Sequence, residues 1–310
     1  MSRRLLRFIC LLIIVVAICT GCGAGLNTGK HIDFTNVETP PDVPAITADS
    51  QALRVAISSV LLPQETVVHY RAIANFLGGS VERPVILIQR KSYAEIALLL
   101  LNGGADIAFF SSGGYANYSG FHEIEMLASQ QRMGLPYYQG YIVVAQDSVI
   151  KDIADLKGKT FAFTDPLSYS GYTFVAHLLQ QKNEMPETFF ERYIYTYSHD
   201  NSLRAVANRI VDAASVTRVV YDRAKQKHPE LTEAVKIIAV SPPAGIGPVV
   251  AGKSVSVRQR ELLRKALLSM HERPDMVLPL AGLSIDRFVA PQPELFEPIR
   301  LMLREKSEAI

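Results

Sequence analysis

Beyond residue 22 this 310-residue chain has no cysteine, its three thiols being Cys10, Cys19 and Cys22. Whatever follows has no thiol for a disulfide, a thiolate metal site or a cysteine nucleophile, and must rely on its core. A surplus of either charge is also missing. The 32 basic and 30 acidic side chains give +2, and setting aside Arg3, Arg4 and Arg7 leaves 29 bases against 30 acids, about −1. That balance offers no electrostatic footprint for nucleic acid. There is no Gly-x-Ser-x-Gly and no paired-histidine metal motif. No cofactor is called for. An enzyme reading would rest on Ser170, His199 and some Asp, residues that occur together by chance in most chains of this length.

Residues 8–18 form an apolar run behind a basic start, followed by Thr20-Gly21-Cys22. This is the layout of a secretory signal, with an apolar core too short for a comfortable membrane span. Residues 1–21 are expected to be removed. Gly21-Cys22 resembles the bacterial lipoprotein cleavage box, in which Cys22 becomes the lipid-modified first residue, although Cys19 stands where that box usually has Leu. The alternative is an uncleaved N-terminal anchor. Residues 22–50, with Pro40, Pro41 and Pro44, read as a flexible tether between lipid and domain. The expected location is therefore extracytoplasmic, lipid-anchored at the outer face of the cytoplasmic membrane or in the periplasm.

With 48% hydrophobic residues the remainder can bury a substantial core. Strands are expected at 53–57, 85–89 and 106–110, separated by a helix over 65–77 that ends at Gly78-Gly79 and another over 93–101 closed by Asn102-Gly103-Gly104. Ser111-Ser112-Gly113-Gly114 reads as the loop that follows. The alternation restarts after an apolar strand at 141–145, with strands at 160–163 and 212–216 and a helix over 200–208. Alternation of this kind implies two α/β units, each a parallel sheet with helices on its faces.

The most informative segment is Asp165-Pro166-Leu167-Ser168-Tyr169-Ser170-Gly171, between the apolar run 161–163 and a helix expected over 171–181. The first N–H groups of a helix lack intrahelical partners and carry partial positive charge. A phosphate-like group there can collect several of them, with Ser168 and Ser170 adding hydroxyls. The plainer reading is an ordinary N-cap. Spacing alone leaves both open.

Over residues 53–268 the order of pieces resembles the solute-binding proteins of ABC transporters for phosphonates and related phosphorus oxyanions. The resemblance is carried by Ser92-Tyr93-Ala94-Glu95, by Gly104-Ala105-Asp106-Ile107-Ala108-Phe109-Phe110, by Pro136-Tyr137-Tyr138 and by the Asp165 to Gly171 turn. It continues through His199 with Ala205-Val206-Ala207, Val211-Asp212-Ala213-Ala214 and Ser241-Pro242-Pro243. It implies an α/β bilobal type II binding-protein fold, two βα lobes joined by two crossing strands. The first lobe is then 51–140, the second 141–240, and 241–310 returns to the first and adds C-terminal helices.

The resemblance also implies a site. Ser168, Tyr169, Ser170 and Gly171 would hold the oxyanion and His199 would contact one of its oxygens. Tyr93 and Tyr138 would flank the ligand, with Tyr137 replacing Tyr138 if the register slips. Ser111 and Ser112, and Ser58 and Ser59, would add donors from the opposite wall. In aminoalkylphosphonate binders acids take the ligand's ammonium at positions that align near Val219 and Gly247, where this chain has no carboxylate. An ammonium buried without a countercharge is costly, so a ligand without an amine is favoured. The implied partners are a small oxyanion, an ABC permease and a membrane via the lipid, with no nucleic acid and a monomeric state. Two alternatives keep the fold: an organic ligand such as a thiamine-precursor pyrimidine, or a sensory lipoprotein.

Overall fold

A computed structural model describes residues 51–58, 60–61, 63–118 and 124–308. The expected signal peptide at 1–21, the tether at 22–50, the lipidation residue Cys22, and Ser59 lie outside those residues.

Strand β1 (Leu53–Ser58) shows how the first lobe is layered. Side chains alternate faces along a strand, so Leu53, Val55 and Ile57 enter one apolar cluster while Ala56 enters another. Because both faces are covered, β1 pairs in parallel with β2 (Val85–Arg90) and β3 (Ile107–Phe109). Helices α1 (Pro63–Ser80), α2 (Tyr93–Leu101) and α3 (Ser112–Tyr118) cross between strands, and β4 (Glu125–Gln131) completes the first pass.

The second lobe contains β6 (Gly140–Ala145), reached through the short β5 (Tyr137–Tyr138), then β7 (Thr160–Phe163), α4 (Phe174–Gln180), α5 (Pro186–Phe189) and β8 (Arg192–Tyr195). It continues with α6 (His199–Ala207), β9 (Ala213–Thr217), α7 (Arg218–Lys227), α8 (Pro229–Glu233) and β10 (Val235–Val240). Its sheet runs β10-β6-β9-β7-β8, with β7 parallel to both β8 and β9. The chain returns through β11 (Ala244–Gly245) to β12 (Val249–Ala251), followed by α9 (Val257–Ser269), α10 (Val277–Gly282), β13 (Arg287–Val289) and α11 (Glu297–Glu308). The first sheet is then β13-β4-β12-β3-β1-β2. The two crossings pair with one another: Tyr138 faces Ala244 and Tyr137 faces Gly245 in an antiparallel ribbon.

The sheets are mixed and not parallel throughout as expected: the returning β12 is antiparallel to β3 and β4, and β6 is antiparallel to β9 and β10, because the chain enters these strands from the opposite lobe or end. Two local expectations also need correction. Gly78 and Gly79 do not end α1, which continues to Ser80. A Cβ at Gly78 would stand 2.3 Å from Val85 Cγ2 and 2.7 Å from the Arg83 carbonyl, so glycine serves close helix-to-strand packing there. Ser112-Gly113-Gly114 is not a loop but the first turn of α3, with Ser111 Oγ accepting the Gly114 N–H at 3.1 Å. The glycine permits a close approach: a Cβ on Gly113 would lie 2.2 Å from the Leu167 carbonyl of the other lobe.

The lobes are closed on one another. Asp165 Oδ2 accepts the Tyr93 N–H at 2.9 Å, so a second-lobe carboxylate caps a first-lobe helix. Arg223 of α7 donates to Glu65 Oε2 at 3.0 Å and to the Gly282 carbonyl at 2.9 Å. Helix α11 straps both lobes: its Met302 shares an apolar cluster with Tyr115 and Phe174, and the Glu305 carbonyl accepts from Gln180 Nε2 at 2.7 Å.

Candidate ligand-binding site

Between the lobes lies a cavity of about 50 Å³. A single water needs roughly 10–15 Å³ in this measure, so the space suits a compact anion of a few heavy atoms. The first lobe contributes Ser58, Tyr93 and Ser111, the crossing strand contributes Tyr138, and the second lobe contributes Ser168, Tyr169, Ser170 and His199. Of the expected residues that the structure describes, Gly171 and the alternative Tyr137 do not line it, whereas Ser112 does.

The second-lobe wall is built by local polar chemistry. Asp165 Oδ1 accepts the Leu167 N–H at 2.8 Å, and the Asp165 carbonyl accepts the Ser168 N–H at 2.9 Å. Ser168 is an N-cap, its Oγ accepting the Gly171 N–H at 3.0 Å, so the plain capping reading holds for that side chain. The following turn, Tyr169–Thr173, is π-helical, and the α-helix expected from residue 171 begins at Phe174. The turn widens because two carbonyls are pulled outward: that of Gly171 accepts the Thr164 N–H at 3.1 Å, and that of Ser170 accepts the Ser215 hydroxyl. A Cβ at Gly140 would meet Ser170 Cβ at 2.8 Å, so the glycine opening β6 makes room for this serine. Tyr169 donates its phenol to the Pro242 carbonyl at 2.7 Å, which commits that hydroxyl to the crossing strand.

His199 opens α6 behind the N-cap Ser198 and is buried. The Thr217 N–H donates to its Nδ1 at 3.1 Å, with Thr164 Oγ1 also 3.0 Å away. A backbone donor at Nδ1 requires a lone pair there, which places the ring hydrogen on Nε2. Burial pulls the pKa down to about 3, so the ring is neutral at physiological pH and serves as a donor.

The balance of donors decides what the cavity suits. Ser58 Oγ, Tyr93 Oη, Ser170 Oγ and Arg132 Nε are buried without a hydrogen-bond partner, and all four residues line this cavity. Ser170 faces the Tyr138 phenol, but its hydroxyl makes no bond of good geometry. Desolvation, followed by the nearby Asp165 charge, holds the Tyr93 phenol protonated. Among the described residues, none of the lining side chains is a carboxylate. Native proteins rarely leave buried donors unpaired, and this set lacks an acceptor that a ligand would bring.

The sequence model of a family described as "ABC transporter, phosphonate, periplasmic substrate-binding protein" matches residues 55–296. The chain belongs to that family. A phosphonates-binding periplasmic protein of Escherichia coli is 29% identical over 171 residues, 54% of this chain and 50% of that protein. A phosphate-import protein of Mycolicibacterium smegmatis is 26% identical over 165 residues, 50% of this chain and 51% of that protein. The chain thus aligns with about half the length of these curated relatives. A binding-protein component of an ABC phosphonate transporter from Pseudomonas aeruginosa superposes with a TM-score of 0.76 at 24% identity, covering 83% of this chain and 87% of that one. A Prochlorococcus marinus protein solved with methylphosphonate superposes at 0.74 with 16% identity, covering 84% of this chain and all of that one. The fold is that of type II periplasmic binding proteins.

Gln130, Arg132 and Thr217 line the cavity and escape the motif reading, because each lies at the end of a strand with no local signal. Val219 and Gly247, where family acids would align, do line it. Gly247 to Ser254 spells G-x-x-x-x-G-K-S, the phosphate-loop pattern, but it does not fold as one. Its Val249–Ala251 segment is strand β12, paired with β3 and β4, and the Gly252 N–H donates to the Asp106 carbonyl at 2.8 Å. A segment laddered on both sides has no free amides with which to cradle a phosphate.

Proposed function

We propose that this chain is an extracytoplasmic solute-binding protein that captures a small phosphorus oxyanion between its lobes and delivers it to the permease of an ABC transporter. The observation that carries this reading is the convergence of unpaired donors, from Ser58, Tyr93 and Ser170, in a cavity with no carboxylate among its described lining residues. Ser168 and the neutral His199 add to the same seat, with Tyr138 and Ser111 on the facing walls. An organic ring would leave most of these donors unpaired, which disfavours the pyrimidine reading. The lobes divide as 51–140 with 241–310, and 141–240. Cys22 carries the lipid anchor, and the binding protein works as a monomer.

The mechanism is hinge closure about the β5–β11 ribbon. Only contacts made better in the closed form shift that equilibrium, and the donors contributed by both lobes supply them. Hydrolysis is disfavoured at the same site. The Nδ1 of His199 accepts from a backbone N–H, leaving no place for an orienting carboxylate, and a pKa of about 3 makes a poor base at neutral pH.

A thermal-shift panel of phosphate, phosphite, methylphosphonate, sulfate and a pyrimidine tests the reading. A ligand at a hundred times its Kd should add about 2.7 kcal/mol to stability. The expectation is a shift with a phosphorus compound. Silence from every phosphorus compound with a response to the pyrimidine would overturn it.

A further inference from the structure

The oxyanion cavity has a neighbour. A second cavity of about 80 Å³ shares Arg132, Tyr138, Val219 and Ile246 with the first, so the two adjoin at those residues. Arg132, Arg218 and Arg223 line the second compartment, against the single carboxylate of Asp222. Two of these arginines are neutralised: Arg218 pairs with Asp222 at 3.0 Å, and Arg223 pairs with Glu65 at 3.0 Å.

Arg132 is different. Its guanidinium donates to the carbonyls of Leu283 and Ser284 and to Gln130 Oε1 at 2.8 Å, all uncharged acceptors. Gln130 in turn donates to the carbonyl of Gly247, so the guanidinium is braced and its Nε–H remains buried and unpaired. Asp286, the carboxylate whose charge acts on it, is engaged with the Gly134 N–H at 2.7 Å, and among the described residues no carboxylate hydrogen-bonds to Arg132. Tyr70 and Arg223 are the other titratable groups that influence it. Burial pulls its pKa down to about 10, leaving a cation at neutral pH.

We propose that the ligand carries a second acidic group on a short linker, as in a phosphonocarboxylate, and that Arg132 receives that group where the two cavities meet. A buried guanidinium without a countercharge is costly unless a ligand supplies one, and its planar fork suits a carboxylate. Val219 also lies where the two cavities adjoin, and Gly247 is tied to Arg132 through Gln130. The wall where an acid would welcome an ammonium thus presents a cation and no carboxylate partner for it. This inference rests on the phosphorus-oxyanion reading of the seat.

The test is calorimetry on the wild-type protein with phosphonoacetate, methylphosphonate and 2-aminoethylphosphonate. The expected order is phosphonoacetate tighter than methylphosphonate by at least tenfold, and methylphosphonate tighter than 2-aminoethylphosphonate. In Arg132→Gln the advantage of phosphonoacetate over methylphosphonate should shrink below about threefold, and Arg132→Lys should retain part of it. Unfolding midpoints of both variants check that they fold, and the wild-type series decides the matter if they do not. Methylphosphonate or 2-aminoethylphosphonate binding as tightly as phosphonoacetate to the wild type overturns this inference alone. Absence of binding by all three overturns it together with the phosphorus-oxyanion reading.

Discussion

Replacing Ser170 by alanine removes one hydroxyl whose role can be read from the sign of two measurements. In the closed, ligand-free arrangement Ser170 is 1% exposed and its Oγ has no hydrogen-bond partner. An unsatisfied buried hydroxyl costs about 1–3 kcal/mol, so its removal cannot destabilise the ligand-free closed form through a lost bond. Stability without ligand should be unchanged where the open, hydrated form dominates, and rise by up to about 2 kcal/mol where the closed form does. For a chain of this size each kcal/mol corresponds to roughly 2–4 °C in Tm. With an oxyanion present the same hydroxyl donates to a charged acceptor, a bond worth about 1.5–3 kcal/mol. Affinity for methylphosphonate should therefore fall roughly 10- to 150-fold. Urea unfolding of the ligand-free variant and titration calorimetry read the two effects separately. A variant less stable by more than about 1 kcal/mol yet with affinity within twofold of wild type would refute the argument, because the hydroxyl would then be structural.

Two further outcomes follow from the same geometry. His199 has a folded pKa of about 3 against about 6.5 unfolded, so between those values the unfolded chain holds more protons and stability falls as pH drops. That contribution should reach about 2–3 kcal/mol by pH 4.5, and His199→Asn, which keeps an acceptor for the Thr217 N–H, should flatten the urea midpoint between pH 4 and 7; equal slopes for both proteins would contradict it. Gly113→Ala places a Cβ 2.2 Å from the Leu167 carbonyl and 2.9 Å from the Tyr169 nitrogen, backbone atoms that cannot swing aside. Ligand affinity should drop at least tenfold and the ligand-bound radius of gyration should rise in small-angle scattering, whereas an unchanged affinity would show that the lobes do not close on this contact.

Much of the site is legible in local sequence because its parts are local. The turn from Asp165 to Gly171 is built by bonds spanning two or three residues, from Asp165 to Leu167 and from Ser168 to Gly171. Those side chains and spacings are visible in the string itself. His199 is recognisable by its place at a helix start, but its state is not: burial and a backbone donor from Thr217, eighteen residues away, make it a neutral Nε2–H donor. Glycine is the other source of error. At Gly78 it looks like a helix stop and at Gly113 like a loop, yet both stand inside helices because a neighbouring segment comes too close for a Cβ.

By itself the sequence determined the layering of two α/β units and the local hydrogen bonding of the Asp165 to Gly171 turn, since apolar periodicity and capping act over a few residues. Only the tertiary structure decided which donors are left without partners. Ser58 ends β1, Arg132 follows β4, Tyr93 opens α2 and Ser170 lies in a turn, yet where the lobes meet each has a buried polar atom without a partner. The same fold leaves Arg132 a guanidinium braced by carbonyls rather than by a carboxylate. Burial and pairing are properties of the assembled fold, because a hydroxyl or guanidinium is satisfied or not by groups far away in the chain.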